Sequence, residues 1–138
     1  MDDDLLADPL PGNVIDGLHL IVDGSTADVT LYAEHNLTEM FHDLVSTMDM
    51  SIIVPPFFKD VELDPKLLTG DRFRDEGGIS GLCMVNTSHL AIHCWPLRNA
   101  FMFDASSCKR FDPDKAVKVL SSYLKPTRLR VHRIIRRP

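Results

Sequence analysis

Alternation of apolar and polar residues predicts β-strands along most of this chain, and helical spacing appears in two places. Strand-like runs occur at Val14–Val22 and Ser51–Val54, then three times in close succession, and once more near the end of the chain. The three successive runs are Ile79–Val85, Leu90–Trp95 and Ala100–Phe103, and the closing run contains Leu129, Val131 and Ile134–Ile135. Short polar connections between the three successive runs predict an antiparallel meander.

The two helical segments lie on either side of these central strands. The first is predicted over Leu37–Met48, and we expect Asn36 to cap it in a capping box with Glu39. The second is predicted to begin at the Asp112–Pro113 pair, because aspartate is a good N-cap and proline suits the first helical turn. Pro126 is expected to end it.

Glycine, proline and polar residues mark the connections. Asp23–Ala27 is predicted as a turn, and Pro55–Pro56 are expected to interrupt or end the second strand. Asp60–Gly77 is predicted as an extended loop, and residues 1–12 as a flexible acidic lead-in.

The element order β-α-β-β-β-β-α-β predicts one α+β domain over residues 1–138. We expect a two-layer sandwich, with two helices on one face of a largely antiparallel sheet.

Size and composition fit a single globular domain. The chain has 138 residues, of which 44% are hydrophobic and 25% are charged, and its net charge of −5 does not support nucleic-acid binding. It has no apolar run of about 20 residues for a membrane span, and its three cysteines lack the spacing of a disulfide framework. We expect a cytoplasmic protein that forms a homodimer or higher homo-oligomer, with a second copy covering the open face of the sheet.

Residues able to carry chemistry are concentrated between Gly77 and Cys108. They are Ser80, Ser88, His89, His93, Asp104 and Cys108. On a strand, His89 and His93 would share one face, but a metal site needs a third ligand and we expect no metal. A Cys-His hydrolase that pairs Cys108 with His93 stays open as an alternative, although no nucleophile elbow accompanies the pair.

The segment Gly78–Cys108 resembles the S-adenosylmethionine decarboxylase family of prokaryotes. The matching runs are GISGL (Gly78–Leu82), TSHLAIHCWPL (Thr87–Leu97) and DASSCK (Asp104–Lys109). Several polar positions agree at once and without gaps, which makes the resemblance specific. A weaker likeness extends over the first strand, both helices and the final strand.

The resemblance implies a proenzyme that cuts its own chain between Thr87 and Ser88. Ser88 would become a pyruvoyl group, which forms a Schiff base with the substrate amine and releases CO₂, so neither a metal nor a diffusible cofactor is needed. In the family pattern His93 is the processing base and Ser80 assists processing. Cys108 is the proton donor to the product.

The resemblance also implies a small-molecule substrate from polyamine (spermidine) biosynthesis, with S-adenosylmethionine as the first expectation. Phe73 and Trp95 are the candidate aromatic contacts. Leu97 stands where the family has an acid that holds the ribose hydroxyls, and leucine cannot accept those hydrogen bonds.

Leu97 therefore keeps a second substrate class open, namely L-arginine or L-ornithine. A distal cation would need a carboxylate, for which the candidates are Asp71, Asp75 and Glu76. A non-catalytic regulatory homologue is a further alternative, because Thr87 replaces the glutamate usual before the cut.

Overall fold

A computed structural model of the chain describes residues 15–61 and 77–138. Its elements in chain order are β1 (Gly17–Thr26), a 3-10 turn (Val29–Tyr32), α1 (Glu34–Thr47), β2 (Ile52–Val61), β3 (Gly78–Val85), β4 (Ser88–Trp95), a second 3-10 turn (Pro96–Arg98), β5 (Ala100–Ser107), α2 (Pro113–Leu124) and β6 (Pro126–Arg136). The strands form one antiparallel sheet in the order β2-β3-β4-β5-β1-β6. The predicted element order and α+β class are confirmed.

One face of the sheet packs against α1 and α2. Along β4 the buried residues Leu90, Ile92 and Cys94 alternate with the exposed His89 and His93, as a strand covered on one side requires. The helices supply the facing apolar residues, which are Leu37, Met40, Phe41, Leu44, Val45, Ala116, Leu120 and Leu124. Burial of each large apolar side chain stabilises the fold by about 1.5–3 kcal/mol.

The opposite face of the sheet, called the open face below, carries large apolar side chains that are exposed. Phe57, Leu82, Met84, Met102 and Ile134 are between 40% and 54% exposed. They come from four different strands, β2, β3, β5 and β6, so they are spread across the face rather than confined to a single stripe. A patch of this kind on an otherwise ordinary surface marks an interaction site.

The predicted turn at Asp23–Ala27 is wrong, because β1 continues to Thr26. Asp23, Gly24 and Ser25 pair with the first residues of β5. A Cβ at Gly24 would lie 2.4 Å from the ring of Phe101. The glycine is therefore needed to leave space for this ring and not to turn the chain.

The predicted start of the first helix is also wrong. The helix begins at Glu34 after Ala33, and the Asn36 side-chain amide donates to the carbonyls of Leu31 and Tyr123. A preceding 3-10 turn, capped by Asp28, brings the chain into the helix three residues early. Asn36 thereby joins the two helices and has no capping role.

The prolines do not end β2, which continues through them to Val61 as an edge strand. The pairing register shifts between Ile52 and Val54 and again between Val54 and Phe57, which accommodates residues without a backbone donor. The second helix begins as predicted, since the Asp112 carboxylate accepts the N–H groups of its first turn. The lead-in and the rest of the loop prediction, residues 62–76, lie outside the described residues.

Candidate active site

The Thr87–Ser88 peptide bond lies where the turn between β3 and β4 ends. Asn86 and Thr87 are the two connecting residues, and Asn86 has a left-handed backbone with a φ of 44°. The Asn86 N–H donates to the carbonyl of Ser51 at 3.1 Å, and its side-chain oxygen accepts the Ser51 N–H at 2.8 Å. These two reciprocal bonds fix the turn against the start of β2.

Ser88 and Cys108 meet beside this bond. Ser88 is 7% exposed, on the helix-covered face, and its hydroxyl oxygen accepts the backbone N–H of Cys108 at 2.8 Å. Cys108 directly follows β5, in a turn where the Ser107 hydroxyl donates to the Lys109 carbonyl at 2.6 Å. Hydrogen bonds with the side chains of Ser88 and Thr87 lower the pKa of the Cys108 thiol.

Two cavities open onto this position. One of about 770 Å³ lies toward β6, and Thr87, Cys108, His89 and Arg136 are among the residues that line it. The other, of about 500 Å³, lies toward β2 and is also lined by Thr87 and Cys108. The three residues Thr87, Ser88 and Cys108 are called the cleavage group below. A small molecule in either cavity can reach Thr87 and Cys108, which adjoin the buried Ser88.

Ser80 and His93 form a second pair on the open face. They are cross-strand partners, and the Ser80 hydroxyl oxygen lies 2.8 Å from Nδ1 of His93. The Trp95 ring centroid is 6.3 Å from that of His93, and the three residues line a cavity of about 220 Å³. They are called the histidine group below.

The two groups lie apart in a single chain. His93 follows Ser88 by five residues on β4, which at about 3.3 Å per residue is roughly 16 Å along the strand. Because five is an odd number, their side chains also point to opposite faces of the sheet. The predicted site residues are thus placed in two sets.

A profile of the S-adenosylmethionine decarboxylase family matches residues 18–137, which include both groups. The chain belongs to this family. This membership confirms the family resemblance of the sequence. The two relatives described next are named as decarboxylase proenzymes.

Two relatives and one solved structure are similar to this chain. An S-adenosylmethionine decarboxylase proenzyme of Bacillus anthracis is 29% identical over 121 residues, which cover 87% of this chain and 88% of that protein. An arginine decarboxylase proenzyme of Aeropyrum pernix is 41% identical over 63 residues, which cover 45% of this chain and 48% of that protein. The crystal structure of an adenosylmethionine decarboxylase from Aquifex aeolicus has a TM-score of 0.62 at 20% identity, covering 88% of this chain and 89% of that one, and supports the fold alone.

The remaining family positions lie away from the cleavage group or outside the described residues. Leu97, where the family pattern has an acid, is 76% exposed in the 3-10 turn after β4. It follows Trp95 and therefore lies at the histidine-group end of the strand. Phe73 and the acidic candidates Asp71, Asp75 and Glu76 lie outside the described residues.

The candidates His89 and Asp104 meet on the open face beside His19, which sequence reasoning missed. Nε2 of His19 lies 3.0 Å from a carboxylate oxygen of Asp104, and Nε2 of His89 lies 3.7 Å from the same oxygen. Asp104 stands within β5 and not in a turn. His19 carries no local signal, because only the pairing of β1 with β5 brings it beside Asp104.

Arginines at the end of β6 were also missed as site residues. Arg136 lines the larger cavity and donates to the hydroxyl of Ser106 at 3.1 Å. Arg137 and Arg110 both pair with Asp16, at 3.0 and 3.1 Å. Burial acts to raise the pKa of Asp16, but the hydrogen bonds and charges of the two arginines outweigh it and lower that pKa.

Within residues 15–61 and 77–138, no three His, Cys, Asp or Glu side chains are placed to hold a metal ion. His89 and His93 contact different partners, Asp104 and Ser80 respectively. In the same part of the chain, no helix is long and apolar enough to cross a membrane.

Proposed function

We propose that this protein is a self-processing decarboxylase that converts Ser88 into a pyruvoyl group. The observation that carries the proposal is the 2.8 Å hydrogen bond from the Cys108 N–H to the Ser88 hydroxyl oxygen, directly beside the Thr87–Ser88 bond. A hydroxyl, the Thr87–Ser88 bond and a thiol lie within one small region, which supports self-cleavage at this bond. The decarboxylase relatives are named as proenzymes, which agrees with self-cleavage.

Processing begins with attack of the Ser88 hydroxyl oxygen on the Thr87 carbonyl carbon. The C–N bond breaks, the Ser88 amine is released, and an ester links the two residues. Loss of the Ser88 α-proton then breaks the ester bond to Cβ and expels the Thr87 carboxylate. Water replaces the nitrogen of the resulting dehydroalanine as ammonia leaves, which gives the pyruvoyl group.

The surroundings of Ser88 fit these steps. The Cys108 N–H holds the hydroxyl oxygen in place and favours the negative charge that develops as its proton leaves. The near-complete burial of Ser88 limits premature hydrolysis of the ester. The bonds between Asn86 and Ser51 hold the turn that presents the Thr87 carbonyl.

Once formed, the pyruvoyl carbonyl supplies the electron sink that decarboxylation of an amino acid requires. The Cys108 thiol is the proton donor to the α-carbon of the product. A thiol suits this task because its unperturbed pKa, about 8.5, lies close to neutral pH.

The processing roles assigned to Ser80 and His93 require a second copy of the chain. The histidine group is roughly 16 Å from Ser88 along β4 and on the other face of the sheet, so it cannot reach the Ser88 of its own chain. If two open faces pack together around a two-fold axis that runs across the strands, the histidine group of one copy lies at the cleavage-group end of the other, beside the cavity that His89 of the open face lines together with Thr87 and Cys108. The exposed apolar patch of the open face supports this homodimer.

Two substrate classes are supported, one by the family and one by the positions at which this chain departs from the family pattern. S-adenosylmethionine is favoured by the family profile and by the 29% identity over 121 residues. L-arginine or L-ornithine is favoured by Leu97 and by the 41% identity to an arginine decarboxylase proenzyme. Release of CO₂ from the three compounds, assayed side by side, separates these classes.

The purified protein tests the proposal directly. Mass spectrometry should find two fragments divided between Thr87 and Ser88, and Ser88→Ala should stay whole. An intact wild-type chain that still decarboxylates would overturn the mechanism. An intact chain without decarboxylase activity would favour the non-catalytic regulatory homologue, which the replacement at Thr87 keeps open.

A further inference from the structure

The larger cavity beside the cleavage group contains a guanidinium without an acidic partner. Arg136 pairs with Gly17 of β1, which has no side chain, and its guanidinium donates to the hydroxyl of Ser106 on the other side of β1 at 3.1 Å. No carboxylate lies within ion-pair distance of Arg136 in the part of the chain that the structure describes. Its charge is therefore available to a ligand.

The neighbouring arginines differ in this respect. Arg133 pairs with Asp114 at 2.5 Å, and Arg137 shares Asp16 with Arg110. Because one carboxylate serves two guanidinium groups, that cluster retains a positive charge. The described side chains that line the cavity include no aspartate or glutamate, and two of them, Arg136 and Arg137, are positively charged.

We propose that Arg136 binds the α-carboxylate of the substrate; the inference rests on the proposed function. All three candidate substrates carry this carboxylate on the same carbon as the amine that must reach position 88. Thr87 and Cys108 line the same cavity as Arg136, so an amino acid lying between them can present both groups. A guanidinium is the best match to a carboxylate, because its N–H donors can bind both oxygens.

This assignment also orients the rest of the substrate. The positive field at Arg136 and Arg137 repels a sulfonium, guanidinium or ammonium group at the other end of the substrate. The α-carboxylate therefore lies toward β6, and the cationic end lies away from it. Loss of CO₂ removes the group that Arg136 holds, which favours release of the amine product over binding of the substrate.

Reductive trapping separates carboxylate recognition from a structural role. Each protein is incubated with cyanoborohydride and either an amino acid or its decarboxylated amine, such as L-arginine against agmatine, S-adenosylmethionine against its decarboxylated form, and L-ornithine against putrescine. Mass spectrometry then measures ligand fixed to the new N-terminus, as a share of the cut chains. The variants are Arg136→Met and Arg136→Lys, with Arg128→Met as the control, because Arg128 is exposed on the same strand and outside this cavity.

We expect Arg136→Met to raise the concentration for half-maximal trapping of the amino acid by about tenfold or more, and that of the amine by less than about twofold. Arg136→Lys should restore part of the difference, and Arg128→Met should change neither. Equal changes for acid and amine, or no change, would overturn the assignment while the proposed function stands. A wild-type chain that stays uncut, or that traps none of the ligands, would overturn the proposed function and this inference with it.

Discussion

Ser80 on β3 and His93 on β4 are cross-strand partners with 2.8 Å between their polar atoms, and they lie at the end of this strand pair that is remote from Ser88. The cleavage group and the histidine group each have close contacts among their own residues. The separation of the two groups leaves a base at His93 unable to act on Ser88 of the same chain. The arrangement therefore ties the chemistry of the site to its assembly.

Coexpression of two inactive chains tests this dependence. We expect Ser88→Ala and His93→Ala each to stay uncut when expressed alone. In mixed dimers the Ser88→Ala chain supplies an intact histidine to the Ser88 of the His93→Ala chain, so only the His93→Ala chain should be cut. Differently tagged chains and mass spectrometry distinguish the products.

The control is coexpression of the double variant Ser88→Ala/His93→Ala with His93→Ala, which offers no intact histidine and should give no cut. If mixed dimers form and the His93→Ala chain stays whole, the shared site is wrong. Efficient cutting of His93→Ala alone would instead remove His93 from the processing role.

The Cys108 thiol should report on its hydrogen bond with Ser88. That bond is the largest cause of the lowered thiol pKa, so Ser88→Ala should raise the pKa and move the pH midpoint of alkylation upward. At a fixed pH below that midpoint, alkylation should become slower. The comparison uses His93→Ala with and without Ser88→Ala, so that both chains are uncut.

Peptide mapping after alkylation supplies the internal control. Burial raises the pKa of Cys83, and it raises that of Cys94 to about 12, so both should react slowly in either chain. An unchanged midpoint at Cys108 would show that the Ser88 contact does not set its acidity.

Local sequence signals predicted most of the elements and failed where distant parts of the chain meet. The Asp112 cap was predictable because its hydrogen bonds lie within one helical turn. Gly24 has the composition of a turn, and only its pairing with Phe101 of β5 reveals a strand. Asn36 has the spacing of a cap, but contacts with Leu31 and Tyr123 determine its role.

The site shows the same division. The motif identified Ser88 and Cys108, and the structure shows a hydrogen bond between them across 20 residues. It also grouped His93 with them, because a sequence motif does not distinguish residues that meet within one chain from residues that meet between two copies of it. Arg136 carries no motif, and its place in the cavity depends on the pairing of β6 with β1.

A charged residue introduced on the open face should separate the two copies of the proposed homodimer. Met102 is 54% exposed on that face and pairs with His93, so Met102→Lys should yield a monomer and abolish self-cleavage. Leu129→Lys is the matched control, because Leu129 is 39% exposed on β6 at a position that alternates to the other face. Light scattering after size exclusion measures the mass, and mass spectrometry measures cleavage. A Met102→Lys dimer, or a monomer that still cuts itself, would contradict the proposed assembly.

The turn before the cut should tolerate glycine better than a branched residue at position 86. The φ of 44° at Asn86 costs a β-branched side chain about 1–2 kcal/mol, and glycine adopts it freely. Both replacements lose the acceptor for the Ser51 N–H, a bond that contributes about 1 kcal/mol, so their difference isolates the backbone effect. In the uncut Ser88→Ala background, denaturation by urea should show Asn86→Val to be less stable than Asn86→Gly by about 1–2 kcal/mol. With Ser88 present, Asn86→Val should also cut itself more slowly, because the Thr87 carbonyl loses its fixed position. Equal stability and equal cleavage rates would show that the left-handed turn does not position the bond.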